Sequence, residues 1–142
     1  MGYMQKFAAS FGLQDMSSPI SLPNTRHILA MAEYAREMGK LQTFRTLGMQ
    51  ARWKDGLDLE ETAVLRDLAS TSGLDPEKAL VASSSHEYLA RVDDLKDEAA
   101  KMGITGIPTF IIGTERVVGC QPYQVLADSM IRAGAPPRNK HD

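Results

Sequence analysis

Between Asn24 and Gly103, apolar residues recur at every third or fourth position, and each run is closed by glycine or reopened by a capping residue. A succession of short amphipathic helices satisfies that pattern, and an alternating strand pattern does not. Asn24 can cap a helix whose apolar stripe is Ile28, Met31, Ala32, Ala35 and Met38, with Gly39 as its C-terminal stop. Leu41, Phe44, Leu47 and Trp53 continue on a second helix that carries Gly48 as a weakness and ends at Asp55-Gly56. Asp58 with Glu61 predicts a capping-box start for a helix over Leu59 to Ser70, whose apolar side is Ala63, Leu65, Leu68 and Ala69. Gly73 closes it. Asp75-Pro76 opens a short helix, and Ser84 with Glu87 opens another that runs to about Met102.

Beyond Gly103 the period changes. Pro108-Thr109-Phe110-Ile111-Ile112 is dense in β-formers, Gly113-Thr114-Glu115 can turn, and Arg116-Val117-Val118 can return as a second strand. Gln121-Pro122 then opens a last helix with Val125, Leu126 and Met130 as its packed face, before a polar tail from Pro136 to Asp142. Ahead of these elements, Met4, Phe7, Ala8 and Phe11 share a helical face over Tyr3 to Phe11, with Gly12 as its stop. Gln14 to Pro23, which includes Ser17-Ser18-Pro19, favours extended chain. The expected organisation is one domain: a helical region over 1–102, a hairpin and helix over 103–133, and a tail over 134–142.

Charge and composition exclude several classes of function. Sixteen Lys and Arg against 18 Asp and Glu leave a net charge of -2, which supplies no excess cation for phosphates or anionic lipid, so neither a nucleic acid nor a membrane is expected as partner. The longest apolar pieces, such as Phe110 to Ile112, fall far short of the roughly 20 residues a spanning helix requires. Tyr3 and its neighbours show neither a continuous apolar core nor a cleavage site, so no secretory signal is read and a cytoplasmic location is expected. The single cysteine, Cys120, excludes an intrachain disulfide and a cysteine-based metal cluster.

The run Gly103-Ile104-Thr105-Gly106-Ile107-Pro108-Thr109-Phe110-Ile111-Ile112-Gly113, followed by Val118-Gly119-Cys120-Gln121-Pro122, resembles the C-terminal half of DsbA-like thioredoxin-fold proteins. The likeness is greatest to the FrnE and 2-hydroxychromene-2-carboxylate isomerase branch. Pro23-Asn24-Thr25, Gly39-Lys40 and Gly73-Leu74-Asp75-Pro76 resemble that branch's helical insertion. The resemblance implies a mostly α chain with a small β-hairpin, an incomplete thioredoxin-like fold with a helical insertion. The family's opening strand and active-site helix, with its Cys-x-x-Cys or serine motif, have no counterpart in these residues. No catalytic residue is therefore carried over, and Ser17-Ser18-Pro19 is no replacement.

What the resemblance implies for a site lies at Gly106, Ile107, Pro108 and Thr109. A cis bond before Pro108 would expose the backbone of Ile107 to an extended peptide or to a thiol such as glutathione. Local sequence alone does not support a cis bond, because X-Pro bonds are cis only about 5 to 6% of the time; the resemblance implies one, and a turn that merely starts the strand is favoured over a ligand-binding role. Cys120 precedes the last helix and would be a reactive thiol only beside a positive group or helix N-terminus; a buried, inert cysteine is the favoured reading. His27 and His86 fall in first helical turns and His141 in the tail, so no pair has ligand spacing and no metal is expected. Asp93, Asp94, Asp97 and Glu98 interleave with Arg91, Lys96 and Lys101 as a solvated face. Met4, Met31, Met38 and Met49 read as core residues rather than a soft binding surface.

Two strands rarely suffice for a sheet, so a homodimer that completes the sheet or core is expected, with the hairpin and neighbouring helices in or near its interface. A truncated gene product is the competing explanation. Three functional classes follow: a thiol-disulfide oxidoreductase of the family, a non-catalytic dimeric module that binds peptide or glutathione, and part of a glutathione-dependent isomerase.

Overall fold

The computed structural model describes residues 3–13, 15–17 and 23–136, with the side chains of 3 and 4 left aside. Gln14, Ser18, Pro19, His141 and the side chain of Met4, which figure in the expectations above, lie outside the described residues. The described elements are α1 (Tyr3–Ala9), α2 (Arg26–Glu37), α3 (Leu41–Trp53), α4 (Thr62–Thr71), α5 (Pro76–Ser84), α6 (His86–Lys101), β1 (Thr109–Ile112), β2 (Glu115–Val118) and α7 (Tyr123–Arg132). They fall into two compact units, Met1–Leu95 and Lys96–Asp142, with α6 running across the division.

In the first unit α2 packs on α3 and α5, and α4 packs on α3 and α5. Ala30, Met31, Ala35, Ala69 and Ala79 are fully buried, and Phe44 is 1% exposed. Alanines at these crossings let the helix axes approach, and Phe44, with Ile28, Leu65 and Leu68 in the same cluster, supplies the apolar volume between them. α2 ends in a Schellman motif: Gly39, at φ +69°, donates its N–H to Arg36 O at 3.0 Å, and Lys40 N–H reaches Ala35 O at 2.7 Å. α5 starts where expected, because one carboxylate oxygen of Asp75 accepts from the N–H groups of Glu77 and Lys78 at 3.0 and 3.1 Å.

Several expected boundaries and faces are corrected. Asn24 is one residue early: Thr25 is the N-cap residue, while Asn24 Oδ1 accepts from Arg26 N–H at 3.1 Å in an Asx turn. α4 begins at Thr62 rather than Leu59, because Asp58 Oδ1 takes the N–H of Glu60 at 3.0 Å and closes a turn where the capping box was expected. Leu59 is buried all the same. α6 begins after Ser85, whose Oγ accepts from Tyr88 N–H at 3.4 Å; Ser84 belongs to α5, with its Oγ on Val81 O. α1 ends at Ala9, so Phe11 lies past the helix, its ring edge-on to Phe7 with centroids 5.2 Å apart.

Ala63, Met38 and Met49 are exposed rather than packed. Met38 is the C-cap residue of α2, and Met49 lies about 140° around α3 from Phe44, outside the buried stripe of Phe44, Gly48 and Ala51. The acidic face of α6 is solvated: that helix has no buried residue, and Asp93 pairs with Arg26.

In the second unit β1 and β2 form an antiparallel ribbon with Thr109 opposite Val118 and Ile112 opposite Glu115. The two-residue loop between them places Gly113 at φ +60°, which suits the first central position of a type II′ turn. Val125 and Met130 on α7 are exposed, contrary to expectation, and the buried residue of that helix is Ser129.

Two variants check the helical unit. Asp75→Ala should lower stability by about 1 kcal/mol through loss of two backbone acceptor contacts. Gly48→Ala should raise it by about 0.5 to 1 kcal/mol, because the helix gains propensity and the added Cβ would meet Ile28 Cδ1 at an ordinary 3.5 Å. Urea midpoints at constant slope measure both.

Candidate functional site

The segment that leads from α6 into β1 is held at three points. Gly103, at φ +67°, ends α6 by donating to Ala100 O, and Ile104 N–H donates to Ala99 O, both at 2.9 Å. The guanidinium of Arg116 on β2 then donates to the carbonyls of Gly103, at 2.8 Å through Nη1, and of Met102 through Nη2. At the far end, Thr109 Oγ1 donates to Gly106 O at 2.5 Å, and Gly119 N–H donates to Pro108 O at 2.8 Å. A Cβ on Gly106 would stand 3.1 Å from Val118 Cγ1, a close approach that favours glycine at that position.

Within this frame the Ile107-Pro108 peptide bond is cis, and Ile107 is 91% exposed. Among the described residues neither its N–H nor its C=O has a hydrogen-bond partner. Gly106 and Thr109 are half-buried beside it, and Pro108 is exposed. The four sequence-derived candidates therefore form one bend whose centre presents bare main chain. Such a bend can pair with an extended segment through backbone hydrogen bonds.

Cys120 is exposed, which corrects the expectation of a buried thiol. It follows Gly119 in the segment between β2 and α7. The bond from Gly119 to Pro108 adds one rung to the ladder beyond Thr109 and Val118. The next residues along the two chains are Ile107 and Cys120, so the thiol and the bare bend occupy the same end of the ribbon.

Arg116 was not singled out from sequence, although a lone cation beside Val117 and Val118 is the signal that marks it. Glu115 and Arg132 were also missed. Their carboxylate and guanidinium form a two-pronged contact at 2.6 and 2.8 Å, which joins the start of β2 to the end of α7. Arg132 donates further to Ser129 Oγ at 2.9 Å. The hydrogen bond from Arg132, followed by that from Ser129, pulls the Glu115 carboxyl down to about 2.

In the first unit, an open depression of about 400 Å³ lies between Tyr34, Val81, Ala82, Ser85 and Tyr88. Its rim is tied by Tyr88 Oη donating to Glu37 and by Arg91, which bonds both Glu37 and Glu87 while stacking 4.7 Å from the Tyr88 ring centroid. Burial, then the bond to Glu37, raises the Tyr88 phenol above its ordinary value. No residue of the bend lines this depression.

A hairpin followed by a helix, entered through Gly-x-Pro at a helix end and preceded by a helical insertion, is the architecture of a DsbA-type thioredoxin-fold chain. Residues 1–130 match the family model described as DSBA-like thioredoxin domain, and the chain belongs to that family. The crystal structure of a probable DsbA oxidoreductase from Streptomyces coelicolor matches 98% of this chain with a TM-score of 0.80 and 24% sequence identity. At that identity the likeness speaks for the fold. The chain spans 62% of that neighbour's length. A comparison with curated proteins finds no match. No helix among the described residues is long and apolar enough to cross a membrane.

The Glu115–Arg132 contact yields a pH test. A carboxyl depressed from 4.5 to about 2 stabilises the fold above pH 4.5, and that contribution fades as the pH falls towards 2. Arg132→Ala should return the Glu115 titration, followed by carboxyl NMR, towards 4.5. The gap in urea midpoint between the two proteins should close over the same pH window, and added salt should narrow it because the pair faces solvent.

Proposed function

We propose that this chain serves the thiol-disulfide exchange of its family, within the FrnE branch, as the part that holds an extended peptide or a small thiol such as glutathione. The observation that carries the reading is the bare main chain of Ile107 at the centre of a bend held by Arg116, Thr109 and Gly119. An extended ligand gains backbone hydrogen bonds there without displacing any from the protein. The cytoplasm is the compartment that suits an exposed lone thiol, since reducing conditions keep it free.

Exchange joins an attacking thiolate to one sulfur of a disulfide and releases the other as a thiolate; a second thiol must then resolve the mixed disulfide. These 142 residues contain one cysteine. A full catalytic cycle therefore needs a sulfur from outside them. The same count favours a second reading, a binding module that holds peptide or glutathione without chemistry of its own.

Insulin reduction by dithiothreitol should proceed no faster with the chain present than without it. Calorimetric titration with glutathione and with an extended peptide should show saturable binding of at least one. Ile107→Asp should weaken that binding by about tenfold, equivalent to about 1.4 kcal/mol, and Cys120→Ser should leave it in place. Absence of saturable binding, or binding indifferent to Ile107→Asp, overturns the proposal. Turnover of insulin by the chain alone overturns the statement that a second sulfur is required.

A further inference from the structure

We propose that the depression of the first unit, between α2, α5 and the start of α6, binds a small organic amine. The apolar body of the ligand rests against Tyr34, Val81 and Tyr88, and its ammonium lies between Glu77 and Glu87. The inference concerns a site apart from the bend and stands independently of the ligand reading given there.

Its first support is the apolar part of the lining. Tyr34 and Ala82 are buried, whereas Val81 on the same surface is 70% exposed and packs on little of the unit's own chain. The Tyr34 and Tyr88 rings meet edge to face with centroids 5.8 Å apart, so each fixes the other. A space of about 400 Å³ lined by apolar side chains with a few polar groups has the size and composition of a small-molecule site. The Tyr88 ring already carries the Arg91 guanidinium at 4.7 Å, so the charge of a ligand must be met by carboxylates rather than by that ring.

The second support is the set of polar atoms left over. Glu77 on α5 and Glu87 on α6 both line the depression. Each is held through one oxygen: Glu77 Oε1 accepts from Arg66, and Glu87 Oε1 accepts from Arg91 at 2.6 Å. Neither arginine lines the depression, and among the described residues the second oxygen of each carboxylate has no partner. Lys78, the remaining charged residue of the lining, stands 4.0 Å from Asp75. The positive end of α6 is met by Glu87 in its own first turn. Two carboxylates against one lysine leave the lining negative. Carboxylates only accept and an ammonium only donates, so a primary amine matches the two open oxygens, and an acid would meet like charge.

The third support is scale. Eight residues line the depression, whereas a stable protein partner covers about 20 to 30 on each side. Helix surface also offers no sheet edge to an extended peptide. A free small molecule is the occupant that fits.

Phenethylamine is the probe, with phenethyl alcohol and phenylpropionate as its neutral and anionic controls. In calorimetric titration of the full chain at neutral pH the amine should bind saturably, with a Kd of about 1 mM or tighter. It should also shift the ring NMR resonances of Tyr34 and Tyr88. The alcohol and the acid should bind about tenfold more weakly or not at all. Glu77→Gln combined with Glu87→Gln should remove that advantage of the amine over the alcohol. Val81→Lys, at an exposed position, should abolish amine binding with an unchanged far-UV circular dichroism spectrum, and Ile107→Asp should leave it in place. Absence of saturable amine binding, equal affinity for amine and alcohol, or binding lost with Ile107→Asp overturns the proposal. So does amine binding indifferent to the paired glutamine substitutions, and Val81→Lys decides the matter if that variant does not fold.

Discussion

The bend at Gly106 to Thr109 depends on one guanidinium. The last carbonyls of a helix lack partners within it, and here Arg116 reaches from β2 to accept the role for Met102 and Gly103. That contact fixes where α6 ends relative to the ribbon within the second unit. Six residues later the chain must enter β1 opposite Val118. With both ends pinned, the intervening segment has little freedom, and Ile107 is presented outward. The geometry of the candidate site is therefore set by hydrogen bonds to backbone, while the site itself consists mainly of backbone.

The two units meet their burial demands differently. The first carries a cluster of thirteen buried apolar residues, from Ile28 to Ala82, drawn from four helices and their connections. Its alanines and Phe44 fill space between layers, as a self-contained core requires. In the second unit Val117 and Ser129 are the buried residues, and Ile107, Phe110, Ile111, Val118, Tyr123, Val125, Met130 and Ile131 remain exposed.

Periodicity and punctuation made the elements legible. Asp75-Pro76 and the glycines at 39, 73 and 103 mark helix ends because each meets a specific backbone demand, and the β-dense run before Gly113 could hardly be anything but a strand. The resemblance placed the bend at Pro108. What escaped was decided by competition between local hydrogen bonds of similar strength. Asp58 could cap a helix or close an Asx turn, and the turn prevailed. Met49 shares the apolar character of the stripe without its phase, and Met38 keeps the phase but falls at the C-cap beyond the packed turns, so hydrophobicity alone misplaced them. Arg116 acts across 13 residues of sequence, a distance at which no local pattern announces a partner.

Cys120 is the one cysteine of the chain, and it is exposed. A thiol buried among apolar groups is inert, whereas an exposed one needs a positive neighbour or a helix N-terminus to become a nucleophile. The register sets Cys120 next after the rung that Gly119 makes with Pro108, and Ile107 continues the opposite chain. One sulfur can form a mixed disulfide and cannot resolve it. Holding a partner in register is a task for backbone and shape, and those are the features that the residues between Gly103 and Gly119 secure with most of their hydrogen bonds.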